Sequence, residues 1–157
     1  MTEENAAQQP QPLFNIEKIY VKDLSLEIPH SPGIYLDRTA PQVDLQLSSQ
    51  AMVVEEGVYE VIVTVTVTAR LAEKDLVAFL IEIKQAGIFV VRNMPQLELE
   101  QVLAIICPNI LYPFLREAVS DMSVRAGFSA VLLNPVNFEA LYEQQKLQQT
   151  TEESVIH

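Results

Sequence analysis

Apolar and polar residues alternate from Phe14 to Ile28. Phe14, Ile16, Tyr20, Leu24, Leu26 and Ile28 share one parity, a period of 2 that predicts a strand with one buried face. Glu17, Asp23 and Glu27 take the other parity and are expected on the opposite face. Pro29-His30-Ser31-Pro32-Gly33 stops the strand, and a loop carrying Ile34, Tyr35 and Leu36 runs on to Pro41. A second strand is predicted where Val43, Leu45 and Leu47 alternate with Asp44, Gln46 and Ser48. After a turn at Glu55-Glu56-Gly57, Val61 to Thr68 is β-branched at every position and gives the clearest strand. Leu76 to Val91 reads as a fourth, with Gly87 as a bulge or a point of close packing. The short connections imply antiparallel pairing.

After Pro95 the period changes. A helix is predicted from Leu97 to about Arg125, with Glu98 and Glu100 in its first turn, where the positive end of the helix dipole favours acids. Pro108 and Pro113 interrupt it, and each removes one backbone donor. A bend or local unwinding is the expected response. Gly127 closes this helix, and Asn137 is placed to cap a second, Phe138 to Gln148. Strands followed by helices predict an α+β domain: a four-stranded antiparallel sheet with a long Pro-kinked helix and a shorter C-terminal helix packed on one face. The domain is expected over residues 13–147. A polar segment, 1–12, reads as disordered, and 148–157 reads as a flexible tail.

Composition narrows the function classes. The net charge of −11 and the lack of a basic patch argue against nucleic-acid binding. A single cysteine, Cys107, forms no internal disulfide, which fits a reducing cytoplasm. The N-terminus, Met1 to Asn5, is acidic and polar and has no signal-peptide core. The longest near-apolar run, Val102 to Leu115, is too short to span a bilayer. His30 and His157 lie in no metal-binding spacing, and no phosphate loop or nucleophile elbow is present. Cys107 has apolar neighbours and no evident base, so a buried structural thiol is favoured over a nucleophile. No enzyme activity, cofactor or metal is expected. Asp23 and Glu27 fit either a solvated sheet face or a docking face. The apolar loop residues Ile34, Tyr35, Leu36, Phe128, Leu132 and Leu133 either cap the core or line a groove.

Three stretches resemble the SecB family of protein-export chaperones. They are "FNIEKIYVKDLSLEIPHSP" (Phe14–Pro32), "VYEVIVTVTVTA" (Val58–Ala69), and "CPNILYPFLRE" paired with "LLNPVNFEALY" (Leu132–Tyr142). The resemblance covers about residues 14–145. It implies a homotetramer, built as a dimer of dimers, that holds unfolded preproteins without ATP and delivers them to the SecA motor. It implies SecA docking through Asp23, Glu27, Leu80 and Glu82 on the open sheet face, the partner bringing any zinc. It implies client binding in grooves made by the crossover loop, the second strand and the second helix, which here supply Ile34, Tyr35, Val43, Leu45, Leu47, Phe138, Leu141 and Tyr142. Ile81, Ile83, Gln85 and Cys107 are then expected at helix and subunit contacts. A related alternative is a SecB-like chaperone that serves a non-export client such as an antitoxin, independently of SecA. The family's crossover-loop tryptophan is absent, with Thr39 or Ala40 in its region. That departure bears on groove shape.

Overall fold

The computed structural model describes residues 10–155, and the side chains of residues 10–152. Four strands, β1 (Leu13–Glu27), β2 (Gln42–Glu55), β3 (Val58–Leu71) and β4 (Leu76–Arg92), form one antiparallel sheet in the order β1-β4-β3-β2. The two central strands, β3 and β4, are the two with dense β-branched or apolar sequence, because both of their edges are paired and their helix-side faces are fully buried. The edge strands β1 and β2 carry more polar residues.

Helical structure lies on one side of the sheet. α1 (Gln96–Gln101) runs into a π turn (Val102–Ile106), which continues as α2 (Cys107–Arg125); α3 (Phe138–Val155) follows a loop. The π turn is the local unwinding that the prolines call for. It ends where the Cys107 N–H reaches back to the Val102 carbonyl, and Pro108, which has no N–H to give, follows at once. Pro113 is taken up inside α2. Along α2 the residues Cys107, Leu111, Leu115, Val119 and Ser123 recur every fourth position, and all are fully buried. This row packs on β4 and β3, against Val61, Val63, Val65 and Val67 and against Phe79, Ile81, Ile83 and Phe89.

The 30-residue helical stretch Gln96–Arg125 is long and apolar enough to cross a bilayer by composition, with a mean hydropathy of 1.5 in its most apolar window. Its apolarity has another use, since the buried row is the floor of the core. Gly87 marks the tightest approach: a Cβ there would lie 2.8 Å from Phe89 Cε2 and 3.0 Å from Leu111 Cδ2. The expectation of close packing at Gly87 holds, and the bulges lie elsewhere.

Both ends of the loop between α2 and α3 are fixed by hydrogen bonds. Gly127, at φ +89°, closes α2: its N–H bonds the Val124 carbonyl and the Phe128 N–H bonds the Ser123 carbonyl, a Schellman arrangement. The Val131 N–H donates to Ser123 Oγ at 2.9 Å, and the Tyr112 hydroxyl donates to the Asn134 carbonyl. Asn137 caps α3, its Oδ1 accepting from the Ala140 N–H at 3.0 Å.

Several expectations need correction. β1 contains two bulges, between Ile16 and Lys18 and between Val21 and Asp23. Each inserts an unpaired residue and reverses the parity. Tyr20 therefore faces away from the helices, whereas Phe14, Ile16, Leu24 and Leu26 share the helix side. β2 extends to Glu55, beyond the predicted Ser48. α3 continues through Val155, so residues 148–155 are helical where a flexible tail was expected. Thr150 and Thr151 donate their hydroxyls to the Lys146 and Leu147 carbonyls within this extension. Most of the segment 1–12 lies outside the described residues. Of its last three, Gln11 accepts a hydrogen bond from Asn93 at 3.1 Å.

Candidate functional site

Two surfaces carry the residues singled out above. The first is the sheet face turned away from the helices. Register fixes its composition: Glu27 lies opposite Leu80, Ser25 opposite Glu82, and Asp23 opposite Lys84. Directly opposed side chains in an antiparallel pair stand about 5 Å apart. Asp23, Glu27, Leu80 and Glu82 thus form one patch on β1 and β4, with Asp23 and Glu27 exposed and Leu80 and Glu82 half-buried. Thr64, Thr66 and Thr68 of β3 continue the face beside Lys84, Glu82 and Leu80.

Farther along this face is a cluster that pattern reading missed. Tyr20 donates its hydroxyl to Glu60 Oε2, and Lys22 Nζ sits 2.7 Å from Glu60 Oε1. The Lys22 bond, seconded by Tyr20, holds the Glu60 carboxyl below its ordinary range. Burial, reinforced by the Glu60 bond, pushes the Tyr20 phenol up to about 12. The bulges in β1 are what bring Tyr20 to this side, so strict alternation conceals the cluster.

The second surface is a cleft of about 400 Å³ between β2, the π turn and α3. Leu47, Phe138, Leu141 and Tyr142 line it, as do Leu103 and Ala104. Leu103 and Ala104 were not foreseen, because the π turn shifts the phase of the helix. The capped start of α3 aims Phe138 and Tyr142 inward. Phe138 packs edge-on against Tyr112 at 5.7 Å. Lys146 Nζ lies over the Tyr142 ring, 4.7 Å from its centroid.

The remaining groove candidates separate. Val43 and Leu45 lie on the helix side of β2 beyond the cover of the helices and are exposed. Tyr35 is partly exposed; it packs on Phe128 and donates to the Ala126 carbonyl at 2.7 Å, fastening the crossover loop to the end of α2. Ile34 is a correction. It is buried at 5% exposure and belongs to the core, because the 3-10 turn Gly33–Leu36 folds it inward.

The four residues expected at subunit contacts also need revision. Ile81, Ile83 and Cys107 have no exposed surface within one chain, and Gln85 is 3% exposed, with its amide donating to the Tyr20 carbonyl. They face the helices, as parity predicts, but their side chains are already covered by their own chain. The thiol of Cys107 is pushed up to about 12 by burial, the opposite of what a nucleophile needs. Among the described residues no three His, Cys, Asp or Glu side chains gather closely enough to hold a metal ion.

Comparison with known proteins decides the family. The model of the SecB family, preprotein translocase subunit SecB, matches residues 7–149. The chain belongs to the SecB family. It is 58% identical over 147 residues to the protein-export protein SecB of Methylobacillus flagellatus, covering 94% of this chain and 92% of the relative. It is 60% identical over 138 residues to that of Nitrosomonas eutropha, covering 88% and 86%. Among solved structures, the fold is similar to that of a SecB-like chaperone of Mycobacterium tuberculosis in complex with an antitoxin peptide. The TM-score is 0.64, with 15% identity over 79% of this chain and 91% of that one. That level of identity supports the SecB-like α+β fold and nothing finer.

Proposed function

We propose that this SecB-family protein is an ATP-independent export holdase. It binds unfolded preproteins in the apolar cleft, docks on SecA through Asp23, Glu27, Leu80 and Glu82, and works in the cytoplasm as a dimer of dimers. It acts by binding, without catalysis or cofactor. One observation carries the reading: the acidic patch and the apolar cleft are built from different elements, the patch from β1 and β4 and the cleft from β2, the π turn and α3. A carrier that must hold a client while it meets its receptor needs such a separation. Carboxylates beside a half-buried apolar side chain suit a basic segment of the partner.

Assembly is supported by what one chain leaves uncovered. β1 is a long edge strand, and its helix-side residues Ile16, Val21 and Leu24 are exposed beyond the helical layer. Ile106, Phe114 and Val124 are exposed along the outer side of the proline-containing helix. Open apolar edges of this kind call for a partner, and a second copy of the chain supplies a matching edge.

The experiment is Glu82→Lys. Glu82 is only half-buried and its replacement stays long, so folding changes little, while the charge facing a basic partner reverses. SecA affinity is expected to fall sharply and suppression of aggregation of an unfolded client to stay at the wild-type level. Lost holding with retained SecA binding would overturn the division of the surface. Normal client holding with no measurable SecA binding by the wild type would favour the SecA-independent alternative, and equally tight SecA binding by Glu82→Lys would place the dock elsewhere.

A further inference from the structure

The acidic patch has a cation inside it. Lys84 follows Glu82 by two residues on the same face of β4 and stands opposite Asp23. It is half-buried, with Thr64 of β3 on its other flank. Among the described residues it forms no ion pair, not even with Asp23. Lys22, the next cation along β1, differs: its ammonium is held on Glu60 at 2.7 Å, and its charge is answered locally. The patch formed by Asp23, Glu27 and Glu82 therefore carries one uncommitted ammonium.

We propose that Lys84 sets the affinity of the docking face: a fixed counter-charge that weakens capture of a basic partner segment. The inference rests on the reading of this face as a dock for such a segment. A cation of the partner that approaches Asp23 or Glu82 also approaches Lys84, since the three side chains occupy adjacent positions of one antiparallel pair. Repulsion from Lys84 offsets part of the attraction from its neighbours. For a holdase this is useful. Client transfer requires the carrier to leave its receptor, and interface charges act on both the encounter rate and its salt dependence. The effect expected of one partly exposed charge is roughly two- to fivefold in Kd.

The test is calorimetric titration of the intact protein with a lysine- and arginine-rich peptide. Lys84→Gln keeps a polar side chain, one bond shorter, and removes the charge. It is expected to tighten binding roughly two- to fivefold at low salt, with the gain vanishing near 1 M salt, where the screening length is ~3 Å. Lys84→Glu is expected to tighten it further. Unchanged or weaker binding by Lys84→Gln overturns the proposal, weaker binding indicating that Lys84 meets a carboxylate of the partner. Glu82→Lys in the same titration separates the two levels. If it leaves peptide affinity unchanged, the face is not the dock and both readings fail. If it weakens binding while Lys84→Gln has no effect, only the role of Lys84 fails. Melting curves of each variant confirm that the fold is intact.

Discussion

Ile83→Ala discriminates between a core residue and a subunit contact. Ile83 sits at the middle of β4, between Val65 of β3 and Leu24 of β1, under the buried row of α2, and has no exposed surface. Truncation to Ala removes three carbons. At about 0.8 kcal/mol per buried methylene the transfer loss is ~2.4 kcal/mol. The hole left beneath α2 cannot close fully, because β4 is held by strands on both sides. The total should lie in the upper part of the ~2–5 kcal/mol range found for such truncations. Against a total stability of ~5–15 kcal/mol this is a large fraction. The assay is urea unfolding at several protein concentrations, followed by circular dichroism and paired with native mass. The loss should appear in the protomer itself and persist at concentrations where subunits have separated. Phe114→Ala is the control. Phe114 is 48% exposed on the outer side of α2, so its truncation should weaken association and leave the separated protomer nearly as stable as before. If Ile83→Ala instead dissociated the assembly into protomers with the wild-type unfolding midpoint, Ile83 would be an intersubunit contact and the assignment made from burial would be wrong.

Two further outcomes are expected. Asn137→Ala should lower stability by ~1 kcal/mol, measured by urea unfolding, because the Ala140 N–H at the start of α3 loses its acceptor; an unchanged midpoint would show that this cap is dispensable. Asp37, in the crossover loop, is held down at about 2 chiefly by its hydrogen bond from Lys74. Because its folded pKa is depressed, the clasp favours the fold above the ordinary carboxylate range and is lost as pH falls through about 2. Carboxyl resonances in an NMR titration should place Asp37 near that value and return it toward its ordinary one in Lys74→Ala; a midpoint unmoved by the substitution would point to the Thr39 N–H instead.

The sequence was readable wherever side-chain burial and local pattern agree. β3 is β-branched because it is buried, and its alternation survives intact. Where pairing or backbone hydrogen bonding does the holding, pattern fails. β2 keeps its extended form through Gln50 to Glu55 because it pairs with β3, Met52 opposite Glu60 and Val53 opposite Tyr59, although Met52, Val53 and Val54 are exposed. α3 runs on past its last inward-facing residues, beyond the point where an apolar stripe can be followed. The cleft shows the same division. Phe138, Leu141 and Tyr142 were expected from the resemblance to the SecB family, while Leu103 and Ala104 depend on a π turn that no spacing rule anticipates.

The open sheet face is the most instructive case, because its parts come from two strands distant in sequence. Parity alone groups Asp23 with Glu27 and Leu80 with Glu82. Parity within either strand says nothing about which residues meet across the pair. In β1 the answer depends on two bulges: one residue more or less before Asp23 would put Asp23 opposite a neighbour of Lys84 instead of Lys84 itself. Tyr20 shows the consequence, since the intervening parity reversal carries it to the Glu60 side. The unpaired ammonium beside Asp23 and Glu82 is therefore a property of register. A substitution that removed the second bulge without altering any charge should displace Asp23 from Lys84, and the salt dependence of docking should change with it.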